Sequence, residues 1–404
     1  MKPEWPSKPL AELCDFRNGL WKGKTPPYVH VGVIRNTNFT KSGFLDEGDI
    51  AYLDVEEAQF AKRQLRFGDL ILEKSGGGPR QPVGRVITFE KSGGLFSFSN
   101  FTSVIRVVDP SVLSFRFLHR LLYWYYLSGV TEGMQHRSTG IRNLDLNSYK
   151  QLQIPLPPLP EQEQTVAILD EAFAAIATAT DCATKNASNA REFFESSLRA
   201  VIDQRTSKWP RRRLGETCEN LDSRRVPIAR SKREPGSVPY YGASGVVDHV
   251  ADHLFDEDLL LVSEDGANLL ARTYPIAFSI SGKSWVNNHA HVLRFGNPAV
   301  QRFVEFYLNS ITLVPYVSGM AQPKLNQKAL NSIPIPLSED VSDVEQVVGL
   351  LETNKKQSDA LFDAYQRKLS CLAELKLSML HKAFTGELTA DASAAHCAPS
   401  EAGL

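Results

Sequence analysis

The chain has no G-x-x-x-x-G-K-[ST] phosphate loop anywhere in its 404 residues, which excludes an ATP motor built on that cradle. The Asn/Asp-Pro-Pro-aromatic tetrapeptide of amino-methyltransferases is also missing, since Asn297-Pro298-Ala299-Val300 lacks both the second proline and the aromatic. Gly77-Gly78-Pro79-Arg80 is not a G-x-G-x-x-G fingerprint. Asp69 with Glu73-Lys74 carries carboxylates of the kind a metal-dependent nuclease uses, but without the Glu-x-Lys spacing. Cysteine is scarce: Cys14, Cys182, Cys218, Cys371 and Cys397 are odd in number, widely spread and never C-x-x-C. Neither a disulfide framework nor a zinc knuckle is suggested by them. His289-x-His291 would put two imidazoles on one face of a strand, but zinc needs three or four ligands, and these read as packing or surface histidines. Long apolar runs are absent too. The most apolar stretch, residues 112–130, is broken by Arg116, His119 and Arg120 and is too short to span a bilayer. The first residues form no basic-then-apolar leader. A cytoplasmic chain with no catalytic set, no metal and no cofactor of its own is expected.

What is present begins with a helix. Pro155, Pro157, Pro158 and Pro160 oppose regular helix up to that point, because each lacks an N–H and restricts the residue before it. From Glu161 no glycine or proline occurs until Pro210. Steps of three and four pick out Val166, Leu169, Phe173, Ile176, Thr180, Ala183, Ala187, Ala190, Phe194, Ser197 and Val201, nine of them apolar. That is a coiled-coil seam. Such a helix is roughly 65 Å long, too long for the interior of one domain, and reads as a spacer.

The rest of the chain is a tandem repeat around that helix. Trp5-Pro6-x3-Leu10-x-Glu12-x-Cys14 recurs as Trp209-Pro210-x3-Leu214-x-Glu216-x-Cys218. Asp69-Leu70-Ile71-Leu72 aligns with Asp258-Leu259-Leu260-Leu261, each followed by a glycine, Gly76 or Gly266. Asn100 and Val104-Ile105-Arg106 recur as Asn288 and Val292-Leu293-Arg294, and Ile154-Pro155-Leu156-Pro157 as Ile333-Pro334-Ile335-Pro336. The first copy is seven residues longer just before its proline cluster, through RSTGIRN. A second long helix succeeds the second cluster, with Ser342 and Glu345 as a capping box and Gly386 beyond its end. Its seam reads Val344, Val347, Leu351, Asn354, Ser358, Leu361, Tyr365, Lys368, Leu372, Leu375 and Met379. Two matched helices of this length favour packing on each other over packing each on its own domain.

The fold class expected is therefore α+β. Two mixed α/β domains, residues 1–160 and 206–337, are separated by helices 161–205 and 338–388 that form an antiparallel coiled coil, with a disordered tail at 389–404. The net charge of −1 hides an alternation, because Lys+Arg minus Asp+Glu is +5, −4, +3 and −5 over residues 1–160, 161–205, 206–337 and 338–404. Positive excess on the two globular pieces suits a polyanionic partner. Within them, the aromatics of Ser114–Leu127 and Val300–Ser310 read as core. Lys74-Ser75-Gly76-Gly77-Gly78-Pro79-Arg80 with Arg85, and Ser263-Glu264-Asp265-Gly266-Ala267-Asn268 with Arg272, keep a glycine turn but change its side chains. They are either plain solvent-exposed turns or two readers of different base edges. For the second reading, Arg or Lys donates to guanine, Asn pairs with adenine, and Asp or Glu accepts from cytosine. Gln135, Arg137 and Arg142 in the loop before the first proline cluster, and Gln322 and Lys324 before the second, are candidates of the same kind. Arg211, Arg212, Arg224 and Arg225 are candidate phosphate neighbours.

These residues together resemble the specificity subunit of type I restriction–modification enzymes. The Trp-Pro…Leu-x-Glu-x-Cys openings, the strand-to-glycine turns, the IPLPPLPEQEQ run before a long helix and the shorter IPIPL copy occur in order along almost the whole chain. The resemblance implies a non-catalytic subunit whose two target-recognition domains each read half of a bipartite asymmetric site on double-stranded DNA. It implies paired helices that fix the half-site separation. Docked methyltransferase subunits would bring S-adenosylmethionine, and restriction–translocase subunits ATP and Mg. The second copy departs from the pattern where Leu337-Ser338-Glu339-Asp340 replaces the Pro-Leu-Pro-Glu-Gln run. A coiled-coil assembly scaffold without sequence reading, and a stand-alone DNA-modifying or DNA-cleaving enzyme, are the competing classes.

Overall fold

The computed structural model describes residues 5–20, 23–78, 81–138, 141–319 and 321–388, without the side chains of residues 137 and 138. The tail from 389, Cys397 and Arg80 lie outside the described residues. The chain forms two compact units, residues 1–182 with 368–404, and residues 183–367.

In the first unit the centre is the strand Asp69–Glu73, buried on both faces. It lies in a four-stranded antiparallel sheet between Thr102–Val107 and Val86–Phe89, with Cys14–Asn18 at the far edge. Leu70 and Leu72 face a core with Phe117, Leu118, Leu121 and Leu122 of the helix Phe115–Leu127. Ile71 faces the opposite way, into a core with Ile34, Phe96 and Phe98 of a second sheet. The chain's entry and exit are zipped together, Ser7–Pro9 pairing antiparallel with Gln153–Pro155.

The second unit repeats this order: Glu219–Asn220, Ala290–Arg294, Leu259–Ser263 and Ala277–Ile280 in one antiparallel sheet, and Arg211–Arg213 zipped to Pro334–Pro336. The pairing register corrects the sequence alignment by one residue. Leu70 lies opposite Ile105 and Leu260 opposite Leu293, so Leu70 matches Leu260, and Asp69 matches Leu259 rather than Asp258. A strand buried on both faces has no polar alternation to fix its register, which is why the slip was invisible in the sequence. The RSTGIRN insertion has a structural meaning as well. It joins Gln135–Ser138 to Ile141–Leu144, which pair with each other and, through the latter strand, with Ser75–Gly77; the described residues of the corresponding loop in the second unit form isolated bridges, Ser318 and Asp265 each with Lys324.

The central helix spans Leu159–Thr206, 48 residues, and so starts two residues before the expected Glu161. Pro160 sits in its first turn, where a missing N–H costs nothing. Gln162, fully buried, anchors that turn: its amide donates to the carbonyls of Val112 (2.9 Å) and Pro157 (2.8 Å) and accepts from the Ser114 N–H (2.9 Å). None of the eleven seam residues is exposed. In the first unit Val166, Leu169 and Phe173 join the core shared with Leu380, Ala383 and Phe384 of the C-terminal helix Val341–Phe384. In the second, Ser358 Oγ donates to the Ala190 carbonyl (2.6 Å) and Asn354 Nδ2 to Ser197 Oγ (2.7 Å). Residue numbers rise along one helix as they fall along the other, so the pairing is antiparallel, with polar seam residues pinning its register.

Two expectations for the C-terminal helix change. Its cap is Asp340, whose carboxylate accepts from the Ser342 N–H (2.8 Å), rather than Ser342. After Ser358 every second seam position moves by one: Leu361, Lys368 and Leu375 are exposed and Phe362, Leu369 and Lys376 turn inward in their stead, while Tyr365, Leu372 and Met379 keep their places. Arg191 lies 3.9 Å from the Phe362 ring centroid and Lys376 4.8 Å from that of Phe173, so cations on aromatic faces hold the shifted stripe. Among the described residues no helix is long and apolar enough to cross a membrane, and Cys14, Cys182, Cys218 and Cys371 are free thiols.

Candidate nucleic-acid interface

Each unit ends its central strand in a glycine turn, with Gly76 at φ +99° and Gly266 at φ +109°, values that side chains rarely adopt. The loop before the proline cluster is laid against that turn. The Leu144 N–H donates to the Lys74 carbonyl (2.8 Å), and the Leu325 N–H to the Glu264 carbonyl (2.7 Å). The glycine turn and the pre-proline loop thus form one surface in each unit. Ser75 donates to Asn143 Oδ1 at 2.5 Å across the first. Lys324 pairs with Glu264 at 3.1 Å across the second.

Beneath each turn lie three matched positions with different chemistry. In the first unit Asn18 Oδ1 accepts from Lys74 Nζ (3.0 Å) and Ser103 Oγ (3.3 Å). In the second the same places hold Asp222, Glu264 and His291. His291 lies 2.6 Å from Asp222 through Nδ1 and 2.7 Å from the Leu325 carbonyl through Nε2, which must donate there. Arg225 reaches Glu264 at 2.6 Å and Asp222 at 3.5 Å. Burial pushes both carboxyls up, but for Asp222 the hydrogen bond and charge of His291, the Val292 N–H and Arg225 outweigh it. For Glu264 the contacts from Arg225 and Lys324 and the charge of His291 do the same, so both are held below their usual range. Burial lowers the Lys74 ammonium from its ordinary value. The Asp222, Glu264 and His291 donors lie within 4.8 Å of one another, but Arg225 and Lys324 already supply the compensating charge.

The sixteen candidate residues sort by what their side chains do. Arg85 is spent inside the first unit: it forks onto Glu73 (2.7 and 2.9 Å) and donates to the carbonyls of Phe39 (3.0 Å) and Asn36 (3.3 Å). Arg272, at φ +54°, donates to the carbonyls of Leu308 (3.1 Å) and Ile311 at the end of the helix Pro298–Ser310. Asn268 satisfies Thr273 and Tyr274 and is buried. Arg225 belongs to the cluster under the turn. Gln135 donates to the carbonyls of Val83 and Thr131 and accepts from Arg142 at 3.4 Å. Arg224 pairs with Glu257 (3.2 Å), Arg212 with Glu339 (3.7 Å), and Arg211 donates to the Tyr307 hydroxyl (3.3 Å). Asp265 holds His289 at 2.8 Å. Lys74, Ser75, Asp265, Gln322 and Lys324 stand at or beside the turns with surface to offer. Arg80 and the side chain of Arg137 lie outside the described residues. A cleft of about 770 Å³ opens beside the first turn, lined by Asn36, Thr37, Lys41, Glu73, Gly76 and Gln81 among others.

The two units are thus alike in scaffold and unlike in the surface their turns present. The family model described as type I restriction modification DNA specificity domain matches residues 3–183 and again 206–358. The chain belongs to that family. A putative type I restriction enzyme specificity subunit of Haemophilus influenzae is 32% identical over 149 residues, 37% of each chain. The chain thus spans little more than a third of that relative. A putative MjaX specificity subunit of Methanocaldococcus jannaschii is 21% identical over 93% of this chain and 94% of its own. In fold, the chain is similar to one from a structure on complex assembly and conformational transition of the type I R-M system (TM-score 0.74, 18% identity, 96% of this chain and 100% of that one). It is also similar to the HsdS subunit of Thermoanaerobacter tengcongensis (TM-score 0.59, 18% identity, 96% and 98%).

Proposed function

We propose that this chain reads a bipartite, asymmetric site on double-stranded DNA, one half-site through each globular repeat, and performs no chemistry itself. The observation that carries this is the matched trio under the turns: one scaffold holds Asn18, Lys74 and Ser103 in the first repeat and Asp222, Glu264 and His291 in the second. Two copies of one frame with opposite charge at the same place suit two different base sequences. The paired helices serve as spacer and as docking scaffold for methyltransferase subunits that bind S-adenosylmethionine and for restriction–translocase subunits that use ATP and Mg. Exchanging residues 206–337 for the equivalent domain of another family member, and reading the methylated motif genome-wide, tests it. One half of the motif is expected to change. A motif altered in both halves or in neither overturns the modular reading, and absence of any sequence preference favours a scaffold without reading.

A further inference from the structure

One exposed position on each proposed reading surface is none of the sixteen candidate residues. The carbonyl of Phe101 accepts from the N–H groups of Lys74 (3.0 Å) and Ser75 (3.2 Å), and the carbonyl of His289 accepts from that of Glu264 (2.9 Å). Because Ser103 and His291 stand opposite the matched residues Leu72 and Val262, Phe101 and His289 are the same residue of the fold. Both backbones are fastened to the glycine turn while both side chains look outward: Phe101 is 45% exposed and the His289 side chain 51%. The Phe101 ring rests against the turn, 3.6 Å from where a Cβ on Gly76 would stand. The His289 ring is held by Asp265, whose two carboxylate oxygens lie 2.8 and 3.0 Å from Nδ1.

We propose that Phe101 and His289 are a matched pair of specificity-determining side chains that read the methyl group of thymine and the exocyclic amino group of adenine or cytosine, respectively. This rests on the DNA reading of the preceding subsection. A large ring fixed beside a tight turn can press on the C5-methyl group, the one apolar feature of the major-groove edge. An imidazole whose Nδ1–H is given to Asp265 presents Nε2 outward as an acceptor, and the amino groups N6 of adenine and N4 of cytosine are the donors on that edge. A rigid backbone under each ring means that the side chain needs little ordering on binding.

The test uses the full chain in its assembled complex, with parent, Phe101→His, His289→Phe and Asp265→Asn compared by genome-wide methylated motif and by selection from randomised duplexes. Phe101→His is expected to move one position of the first half-site from thymine toward adenine or cytosine by roughly tenfold, leaving the second half-site alone. His289→Phe is expected to do the converse in the second half-site. Asp265→Asn is expected to weaken the preference at that same position. Melting temperatures close to the parent's separate these effects from misfolding, as both rings are half exposed. A parent with a clear motif and variants that keep every position of it overturn this assignment alone. A parent without sequence preference overturns the DNA reading and this assignment with it.

Discussion

Lys74 and Glu264 occupy one place in the fold with opposite charge: each comes directly after the last residue of a buried central strand, and each carbonyl receives the N–H of a leucine, Leu144 or Leu325. The frame thus holds the backbone constant and leaves the charge beneath the turn free to vary. The compensation differs accordingly. Lys74 leans on the neutral Asn18, whereas Glu264 requires Arg225 and Lys324.

The matched register supplies a double-mutant test. Glu73 and Arg85 form a buried pair in the first unit, and their counterparts in the second are Ser263 and Ile276, joined by the same backbone hydrogen bond (2.8 Å in each). Breaking a buried pair from one side strands a charge, at about 3–5 kcal/mol. Glu73→Ser and Arg85→Ile are each expected to lower stability by that order. The double variant should recover a large part of the loss, short of the bonds Arg85 gives to Phe39 and Asn36. Denaturant unfolding of the four proteins measures the coupling, and strictly additive losses would argue against it.

Gln162 makes three hydrogen bonds where little water can replace them. Gln162→Leu leaves a donor at Ser114 and acceptors at Val112 and Pro157 without partners, and is expected to cost about 2–3 kcal/mol. Hydrogen exchange should show the first turns of the central helix opening first.

The two units are expected to respond to acid differently. Burial depresses the His119 imidazole from 6.5 to about 4, so the folded state refuses a proton that the unfolded chain accepts. This stabilising contribution is complete above pH 6.5 and is lost as pH falls toward 4, by about 3 kcal/mol at most. His119→Gln should flatten that limb. Asp222 and Glu264 are held low, so their contribution is present above the ordinary carboxylate range and lost only as pH falls through their depressed values. Glu264→Gln should therefore alter the limb below pH 4.5 and leave the one above it unchanged. Stability against pH for the two variants distinguishes the limbs.

A matched insertion tests the spacer. Four residues added near Thr184 lengthen that helix by about 6 Å and turn its downstream part by roughly 40°; four more near Tyr365 restore the partner. At about 3.4 Å per base pair, the methylated motif is expected to keep both halves and gain roughly two unread positions between them. An unchanged motif with normal methylation would mean that the helices do not set the separation.

The repeat was legible because its landmarks are scaffold. Trp209 packs at a tilt against Phe303, ring centroids 5.5 Å apart, Leu10 and Leu214 are fully buried, and such residues tolerate little change. The long helices were legible from periodicity. What escaped was fixed by contacts distant in sequence. Arg85 and Arg272 looked like surface cations because arginine usually is one, and only folding brings Glu73 and the end of the helix Pro298–Ser310 to them. The seam slip in the C-terminal helix was masked by leucines on both sides of the stripe, Leu361 and Leu375 out, Leu369 and Leu372 in. Phe101 and His289 could have been found from the repeat itself.

On the proposed DNA reading, the zipped entrance and exit of each unit, Ser7–Pro9 on Gln153–Pro155 and Arg211–Arg213 on Pro334–Pro336, bear on how the target can change. A segment that leaves its neighbours and returns to them on adjacent strands can be exchanged by recombination as a single block. Its two junctions then fall side by side on one short ribbon, held by backbone bonds indifferent to side chain. The incoming block has to fit that ribbon and the helix segments packed in its own unit. On the proposed DNA reading, new specificity can therefore arise in one genetic event rather than by stepwise substitution.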